Sequence, residues 1–282
     1  LTMCMGFGCN AVGVTGCRII DSPRERLIAI LTNNFVPCNG RFPAVIAIIS
    51  MFLITSESAF SSFLSSGILL LTILSGIAMT LIISKLLSMT ILKGIPSSFT
   101  LELPPYRKPQ FSKVIIRSIL DRTIFVLGRA CIVAVPSGLI IWILANTDIN
   151  GISLLNRFSE FLQPFGNFMG LDGTILLAFI LGFPANEIVI PIIIMTYLSE
   201  GSILELSDLN ELRELFINNG WDISTAVCML IFILFHFPCS TTCLTIKKET
   251  GSIKWTAIAF ILPVAVGIIL CSAVNFVFHI FI

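Results

Sequence analysis

Charged residues are scarce in this chain of 282 residues, since Asp, Glu, Lys and Arg together make up 12% of it. An average soluble domain carries about 25%. With 56% hydrophobic residues and a mean hydropathy of +0.99, the chain cannot cover one core with a solvated surface. The composition excludes a soluble enzyme, a nucleic-acid-binding protein and a disordered protein. It predicts an all-α, polytopic helical membrane protein in contact with lipid.

Two local signals are also missing. No Gly-x-x-x-x-Gly-Lys-Ser/Thr motif occurs, so this stretch has no P-loop of its own. We also expect no catalytic residues, no cofactor-binding residues and no enzyme activity in this chain. The first residues, Leu1-Thr2-Met3-Cys4, carry no charged region and no cleavage site, which excludes a signal peptide. We expect them to lie in the interior of a longer membrane protein.

The nine cysteines do not form the regular pattern of a secreted disulfide framework, because most lie inside apolar runs at irregular spacing. Five are expected to act as small apolar packing residues: Cys4, Cys17, Cys131, Cys228 and Cys271. The other four lie beside helix breakers and are candidate ligands: Cys9, Cys38, Cys239 and Cys243.

Apolar runs of about 20 residues are the units that cross a bilayer. Three are uninterrupted, at about 67–92, 127–145 and 255–281. Three contain helix breakers: 27–55 is broken at 35–43, 171–198 at 182–187, and 223–246 at 236–239. The stretch 1–17 is predicted to be the second half of a similar broken element.

Basic residues orient these runs, because cytoplasmic loops are rich in Lys and Arg. The rule predicts that 18–26, 93–126 and 247–254 are cytoplasmic and that 56–66, 146–170 and 199–222 are outside. The run 171–198 then enters and leaves on one side as a re-entrant pair. Within the basic linker, 111–126 is either an interfacial amphipathic helix or a basic flank that only fixes the topology.

A short pattern occurs twice. Gly6-Phe7-Gly8-Cys9-Asn10 matches Gly182-Phe183-Pro184-Ala185-Asn186, and Val36-Pro37-Cys38 matches Phe237-Pro238-Cys239. We predict two repeats of opposite orientation, a common transporter plan, although motifs this short also arise by chance. The expected divisions are a first repeat at 1–92, a linker at 93–126, a connecting helix at 127–145, an outside loop at 146–170 and a second repeat at 171–282.

Glu187 is the only acid well inside an apolar run, where an ionisable group is costly and a candidate for function. It could instead cap the half-helix 187–198 or pair with Arg41. Amide, thiol and imidazole groups lie at the breaks too, and such a mixture suits a transition metal ion. The candidate metal ligands are Cys9, Asn10, Cys38, Asn186, Glu187, His236, Cys239 and Cys243. Taken singly, each cysteine could equally be a small residue at a tight helix contact.

Five motifs resemble the ferrous iron transport protein B family of bacteria, and they occur in the family's order. They are Gly6-Phe7-Gly8-Cys9-Asn10, Ser22-Pro23-Arg24-Glu25-Arg26-Leu27, Glu102-Leu103-Pro104-Pro105-Tyr106-Arg107, Gly182-Phe183-Pro184-Ala185-Asn186-Glu187, and Pro238-Cys239 with Lys248-Glu249-Thr250-Gly251-Ser252. The resemblance implies a multi-pass permease in the bacterial inner membrane, built from two Gate repeats and moving Fe²⁺ inward. Many members carry Lys where this chain has Asn186, so a mechanism built on that Lys is in doubt here.

The same resemblance implies a GTP-binding domain, with GTP and Mg²⁺, that lies outside this chain. A small cytoplasmic accessory protein and a second copy of the chain are further candidate partners. Two rivals stay open. One is a Gate-type carrier of an organic solute such as a nucleoside, and the other is a truncated, non-transporting membrane remnant, which the genomic sequence upstream of Leu1 would reveal.

Overall fold

The computed structural model describes residues 1–53, 59–94, 112, 116, 125–149, 152–198 and 209–281, and these are almost entirely helical. The helices are α1 (Thr2–Gly8), α2 (Asn10–Gly16), α3 (Pro23–Thr32), α4 (Phe42–Ile48), α5 (Ala59–Met89), α6 (Phe125–Asn146), α7 (Leu154–Phe168), α8 (Gly173–Leu181), α9 (Val189–Leu198), α10 (Leu209–Asn218), α11 (Ile223–Phe235), α12 (Ser240–Thr250) and α13 (Ile253–Phe281). Two-residue strands, β1 (Asp148–Ile149) and β2 (Ile152–Ser153), pair antiparallel before α7.

Side-chain caps set several helix starts, because the first amides of a helix have no partner within it. The Asp172 carboxylate accepts a hydrogen bond from the Ile175 amide at 2.6 Å at the start of α8. Asp222 does the same for Thr225 at 2.7 Å at the start of α11. Gly251 ends α12 with a φ of 65°, a left-handed conformation that glycine adopts without strain.

Among the described residues, four stretches are long and apolar enough to cross a membrane: Pro23–Leu53, Ser62–Met89, Ile223–Thr250 and Ile253–Ile280. In the two unbroken ones, which lie in α5 and α13, 22% of the apolar window is buried, against 50% and 67% in the two broken ones. The broken spans therefore form the interior, and α5 and α13 present exposed side chains such as Leu71 and Ile269 to lipid.

Two glycines let these outer helices approach the broken spans closely. A Cβ added at Gly76 of α5 would lie 2.9 Å from the Phe35 carbonyl oxygen, and one at Gly267 of α13 would lie 2.7 Å from the Phe235 carbonyl oxygen. Both carbonyls belong to the residues just before a break. Each unbroken helix thus packs its backbone against the end of a half-helix.

The predicted all-helical membrane fold is confirmed, and so are the breaks in the apolar runs. The stretch 1–17 is itself a broken element, because α1 and α2 meet at an extended residue, Cys9. Two segments expected to be loops contain helices, α7 within 146–170 and α10 within 199–222. α7 and α8 form a pair bent by 110°, which can be a broken span or a re-entrant loop.

Exposed phenylalanines explain why α7 forms a helix within 146–170, where a loop was expected. Phe158, Phe161, Phe165 and Phe168 recur at helical spacing and are exposed on this helix. A polar helix with one aromatic face suits a membrane interface, so hydropathy alone did not mark it as a helix. The proposed amphipathic segment 111–126 lies outside the described residues except for Ser112 and Ile116. The opposite orientation of the two repeats stays a prediction.

Candidate cation pathway

The backbone breaks come in two matched pairs. Cys9, before Asn10, has φ −156° and ψ 126°, and Ala185, before Asn186, has φ −150° and ψ 122°. These are the corresponding positions of the Gly-Phe-x-x-Asn pattern. Agreement within a few degrees at an interrupted helix favours a true repeat over a chance match.

The two Pro-Cys positions agree as well. Cys38 has φ −86° and ψ 165° and precedes the short 3₁₀ helix Asn39–Arg41. Cys239 has φ −61° and ψ 160° and precedes α12. Proline removes a backbone donor and prevents the preceding residue from staying helical, so a helix ends here and a new one begins after the cysteine.

Thiols from three of the four breaks come together. Cys38 and Cys9 both lie within electrostatic range of Cys239. Cys38 is buried, whereas Cys9 and Cys239 are half-buried, and all three are free thiols. The Cys239 sulfur also lies 3.2 Å from the Thr242 hydroxyl. The fold thus places these thiols, which are far apart in sequence, within electrostatic range of Cys239.

Asn186 and His236 meet beside these thiols. The Asn186 amide nitrogen lies 4.0 Å from the Cys38 sulfur, and its Oδ1 lies 3.2 Å from His236 Nε2. His236 Nδ1 is 2.8 Å from the Ile233 carbonyl and 3.2 Å from the Phe232 carbonyl. Nδ1 therefore carries the proton, and the Nε2 lone pair faces the Asn186 oxygen. Either a rotated amide or a cation shared by the two atoms satisfies this contact.

Beside this cluster, a buried polar network links the two units, which are the predicted repeats 1–92 and 171–282. Arg41, 1% exposed, donates from Nη1 to the carbonyls of Asn34 at 3.0 Å and Leu234 at 2.8 Å. Its Nη2 donates to Asn34 Oδ1 at 3.1 Å. Asn34 Nδ2 in turn donates to the His236 carbonyl at 2.8 Å. Each of these contacts satisfies a backbone carbonyl or an amide that a break has freed inside an apolar span.

Asn10 belongs to the same network. Its side-chain amide lies 3.1 Å from that of Asn34, and its carbonyl accepts from Asn33 Nδ2 at 2.9 Å. The sequence reasoning missed Asn33 and Asn34 as site residues. The available signal was two adjacent amides inside an apolar span, where polar side chains are costly.

Glu187 and Cys243 lie at the margins of this cluster. Glu187 is exposed, in the first turn of the 3₁₀ helix Asn186–Ile188, and its Oε1 would lie 3.2 Å from a Cβ at Gly40. It forms no ion pair with Arg41, whose Nη1 and Nη2 donate to uncharged oxygens instead. The Cys243 thiol is 3.6 Å from the Pro238 carbonyl and lines an apolar cavity with Phe183 and Phe260.

Three of the cysteines expected to pack do so. Cys17 is buried, and Cys228 and Cys271 exchange contacts between α11 and α13, each thiol lying near the other's carbonyl at 3.8 and 3.3 Å. Cys4 and Cys131 are exposed on the outer surface instead. Among the described residues, no group of three or more His, Cys, Asp or Glu side chains is arranged to hold a metal ion. We call the cluster of Cys9, Cys38, Asn186, His236 and Cys239 the junction, and among the described residues it does not form a closed metal cage.

These features define the class of protein. It is a multi-pass helical membrane protein in which four broken helices bring thiol, amide, imidazole and guanidinium groups together inside apolar spans.

Comparisons with known proteins narrow the class further. Residues 69–121 match the family described as "Ferrous iron transport protein B C terminus", and residues 127–253 match the Gate family, described as "Nucleoside recognition". The chain is 30% identical over 294 residues to "Fe(2+) transporter FeoB" of Staphylococcus aureus strain COL, covering all of this chain and 41% of that protein. The protein of the same name in Helicobacter pylori strain J99 is 22% identical over 306 residues, covering 93% of this chain and 45% of that protein.

The resemblance seen in the motifs is confirmed: the chain is similar over its whole length to an Fe(2+) transporter FeoB, and part of it matches the ferrous iron transport protein B C-terminal family. It spans less than half the length of these curated relatives. No solved structure matches it.

Proposed function

We propose that this chain is the permease part of a bacterial iron(II) transporter and that Fe²⁺ crosses the membrane between the two broken units. The observations that carry the proposal are the contacts of Asn186 with the Cys38 thiol at 4.0 Å and with His236 Nε2 at 3.2 Å. Cys9 and Cys38 also lie within electrostatic range of Cys239, so thiols from three different breaks lie in this region. Sulfur and imidazole favour a transition metal ion over Na⁺ or Mg²⁺. The name of the relatives, Fe(2+) transporter, supports iron as the ion.

The open arrangement suits passage better than storage. Conduction requires ligands that replace the ion's water and then release it, which a few ligands at a time achieve. In our proposal Glu187 attracts the cation at the exposed edge of the junction. The ion then exchanges water for the thiols of Cys9, Cys38 and Cys239, with Asn10, Asn186 and His236 as secondary ligands. Cys243 is the weakest candidate, because its thiol faces an apolar cavity.

GTP and Mg²⁺ belong in this proposal to a domain outside the chain. The linker 93–126 is the surface on which we place that domain, because it carries six basic residues between Lys93 and Arg122. A small cytoplasmic accessory protein and a second copy of the chain are further proposed partners.

The test is uptake of radiolabelled Fe²⁺ by liposomes that contain the natural polypeptide to which this chain belongs. Cys9→Ser, Cys38→Ser, Cys239→Ser and Glu187→Ala should each lower uptake by about tenfold or more, as changes around metal sites do. Cys4→Ser is the matched control, because Cys4 is exposed on the outer surface of the same unit. Wild-type uptake in all four variants would remove these residues from the pathway.

An organic solute carrier is the second candidate, favoured by the Gate description "Nucleoside recognition" for residues 127–253. The two candidates differ in what competes with uptake. Under our proposal Mn²⁺ and Co²⁺ inhibit Fe²⁺ uptake and nucleosides do not. Uptake of a labelled nucleoside without Fe²⁺ uptake would support the carrier instead.

A further inference from the structure

We propose that Arg41 is a fixed positive charge that weakens the affinity of the junction for divalent cations, so that a bound ion can leave. The inference rests on the proposed function and names a residue that controls affinity at the same site.

The position of the guanidinium is the first support. The backbone amide of Arg41 donates to the Cys38 carbonyl at 2.9 Å, and the Arg41 side chain lies within electrostatic range of Cys239 and His236. Its three hydrogen bonds reach the carbonyls of Asn34 and Leu234 and the amide oxygen of Asn34, so they hold it between the two units. A cation bound to the thiols and the imidazole therefore lies next to a positive charge.

The charge of Arg41 is not neutralised, which is the second support. All three acceptors are uncharged oxygens, and its buried Nε has no hydrogen-bond partner. Among the described residues, no carboxylate forms an ion pair with Arg41 within 4.0 Å. A guanidinium keeps its proton in proteins. Leaving such a charge buried and unpaired is costly, and inside a membrane span this marks a functional residue.

Electrostatics gives the consequence. Like charges repel more strongly where the dielectric constant is low, so Arg41 lowers the occupancy of the site by any divalent ion. Ligand chemistry distinguishes one ion from another, whereas a fixed charge acts on all of them alike. Fast passage requires binding that is weak enough for release, and Arg41 supplies that weakening without removing a ligand.

The experiment compares Arg41→Gln, Arg41→Lys and wild type in the same Fe²⁺ uptake assay. We expect Arg41→Gln to lower both the KM and the maximal rate by about tenfold, since the ion binds more tightly and leaves more slowly. The inhibition constants of Mn²⁺ and Co²⁺ should fall by the same factor. Arg41→Lys keeps the charge and should stay near wild type. Arg26→Gln is the matched control, because it removes a half-buried arginine of the same unit.

A lower maximal rate with an unchanged or higher KM would overturn the proposal, because it would assign Arg41 a purely structural role. A different change for Mn²⁺ and for Co²⁺ would overturn it too.

A second measurement uses the wild-type protein, so it does not depend on whether a variant folds. Anionic and cationic methanethiosulfonate reagents are compared on wild-type protein, with modification followed for each cysteine by mass spectrometry. For each cysteine we take the ratio of the reaction rate with the anionic reagent to the rate with the cationic reagent. This ratio should be several-fold higher for the half-buried Cys9 and Cys239 than for the exposed Cys4. Equal rates, or faster reaction with the cationic one, would contradict the proposed positive field. Absence of Fe²⁺ uptake by wild type would refute the proposed function, while the reagent ratio would still report on the charge of Arg41.

Discussion

Single residues at the junction serve both units at once. Asn34 accepts from Arg41 Nη2 and donates to the His236 carbonyl, so it ties a break of the first unit to a break of the second. It is 2% exposed. If the amide were removed, Arg41 Nη2 and the His236 carbonyl would each lose a hydrogen bond in an apolar environment.

We therefore expect Asn34→Leu to destabilise the protein by about 2 kcal/mol or more, since each unsatisfied buried group costs about 1–3 kcal/mol. The measurement is the unfolding midpoint in a denaturing detergent titration. Asn219→Ala is the control, because the exposed Asn219 side chain donates only to the Leu215 carbonyl four residues before it, at 2.8 Å. Equal midpoints for Asn34→Leu and wild type would refute a role for Asn34 in holding the junction.

Sequence reasoning predicted the chemistry of the site at this scale better than its geometry. The cysteines and Asn186 were identified because they stand beside prolines or in a recurring motif. Asn34 and the role of Arg41 were missed, because their partners include the carbonyls of His236 and Leu234, about 200 residues away. Asn33 was missed as well, although it donates to the nearer Asn10 carbonyl. Glu187 was expected inside an apolar run, and its side chain is exposed. No periodic pattern encodes such contacts between distant segments.

At the scale of elements, α5 and α13 act as lipid-facing supports for the broken spans. Gly76 and Gly267 permit the close approach of each helix to a carbonyl at the end of a half-helix. Glycine is otherwise unfavourable within a helix, by roughly 0.5–1 kcal/mol relative to alanine. Its presence at these two positions is explained by packing.

Gly76→Ala and Gly267→Ala should each destabilise the protein by about 1–3 kcal/mol, because the added methyl group overpacks the contact. Gly67→Ala in the same helix α5 is the matched control, since a Cβ there meets no other atom within 4 Å. The control should be neutral or slightly stabilising. Thermal unfolding of the purified proteins in detergent compares the stability of the Gly76 and Gly267 variants with that of the Gly67 control. Equal losses of stability at Gly67 and Gly76 would argue against the packing role.

At the scale of the whole molecule, an ion pair connects the first unit to the second. Arg18, after α2, donates from Nε and Nη2 to the two oxygens of Glu249 in α12, at 2.7 and 2.6 Å. The Arg18 side chain is 59% exposed and that of Glu249 11%. The hydrogen bond to Glu249 raises the pKa of Arg18, so this arginine stays charged at any physiological pH. The pair joins the first unit to the second on the side predicted to be cytoplasmic.

We expect Arg18→Glu and Glu249→Arg to weaken the contact singly and to restore it together. A double-mutant cycle on thermal stability should give a coupling energy of about 0.2–1 kcal/mol, the range of pairs with an exposed partner. The coupling should decrease as salt is added, because salt screens exposed charges. Lys248→Glu, a change of an exposed neighbouring residue, should show no coupling with Arg18→Glu. A coupling energy of zero at low salt would mean that this contact does not hold the units together.

The sequence by itself determined that this protein is a helical membrane protein, where its spans lie and where they break, because hydropathy and proline act locally along the chain. It also indicated the family, because five short motifs occur in the family's order. Only the tertiary structure decided which breaks meet, that three cysteines from separate breaks converge, and that an unpaired arginine lies among them. These depend on helix packing between residues up to about 200 positions apart, and the geometry of such packing is set by close contacts like those at Gly76 and Gly267.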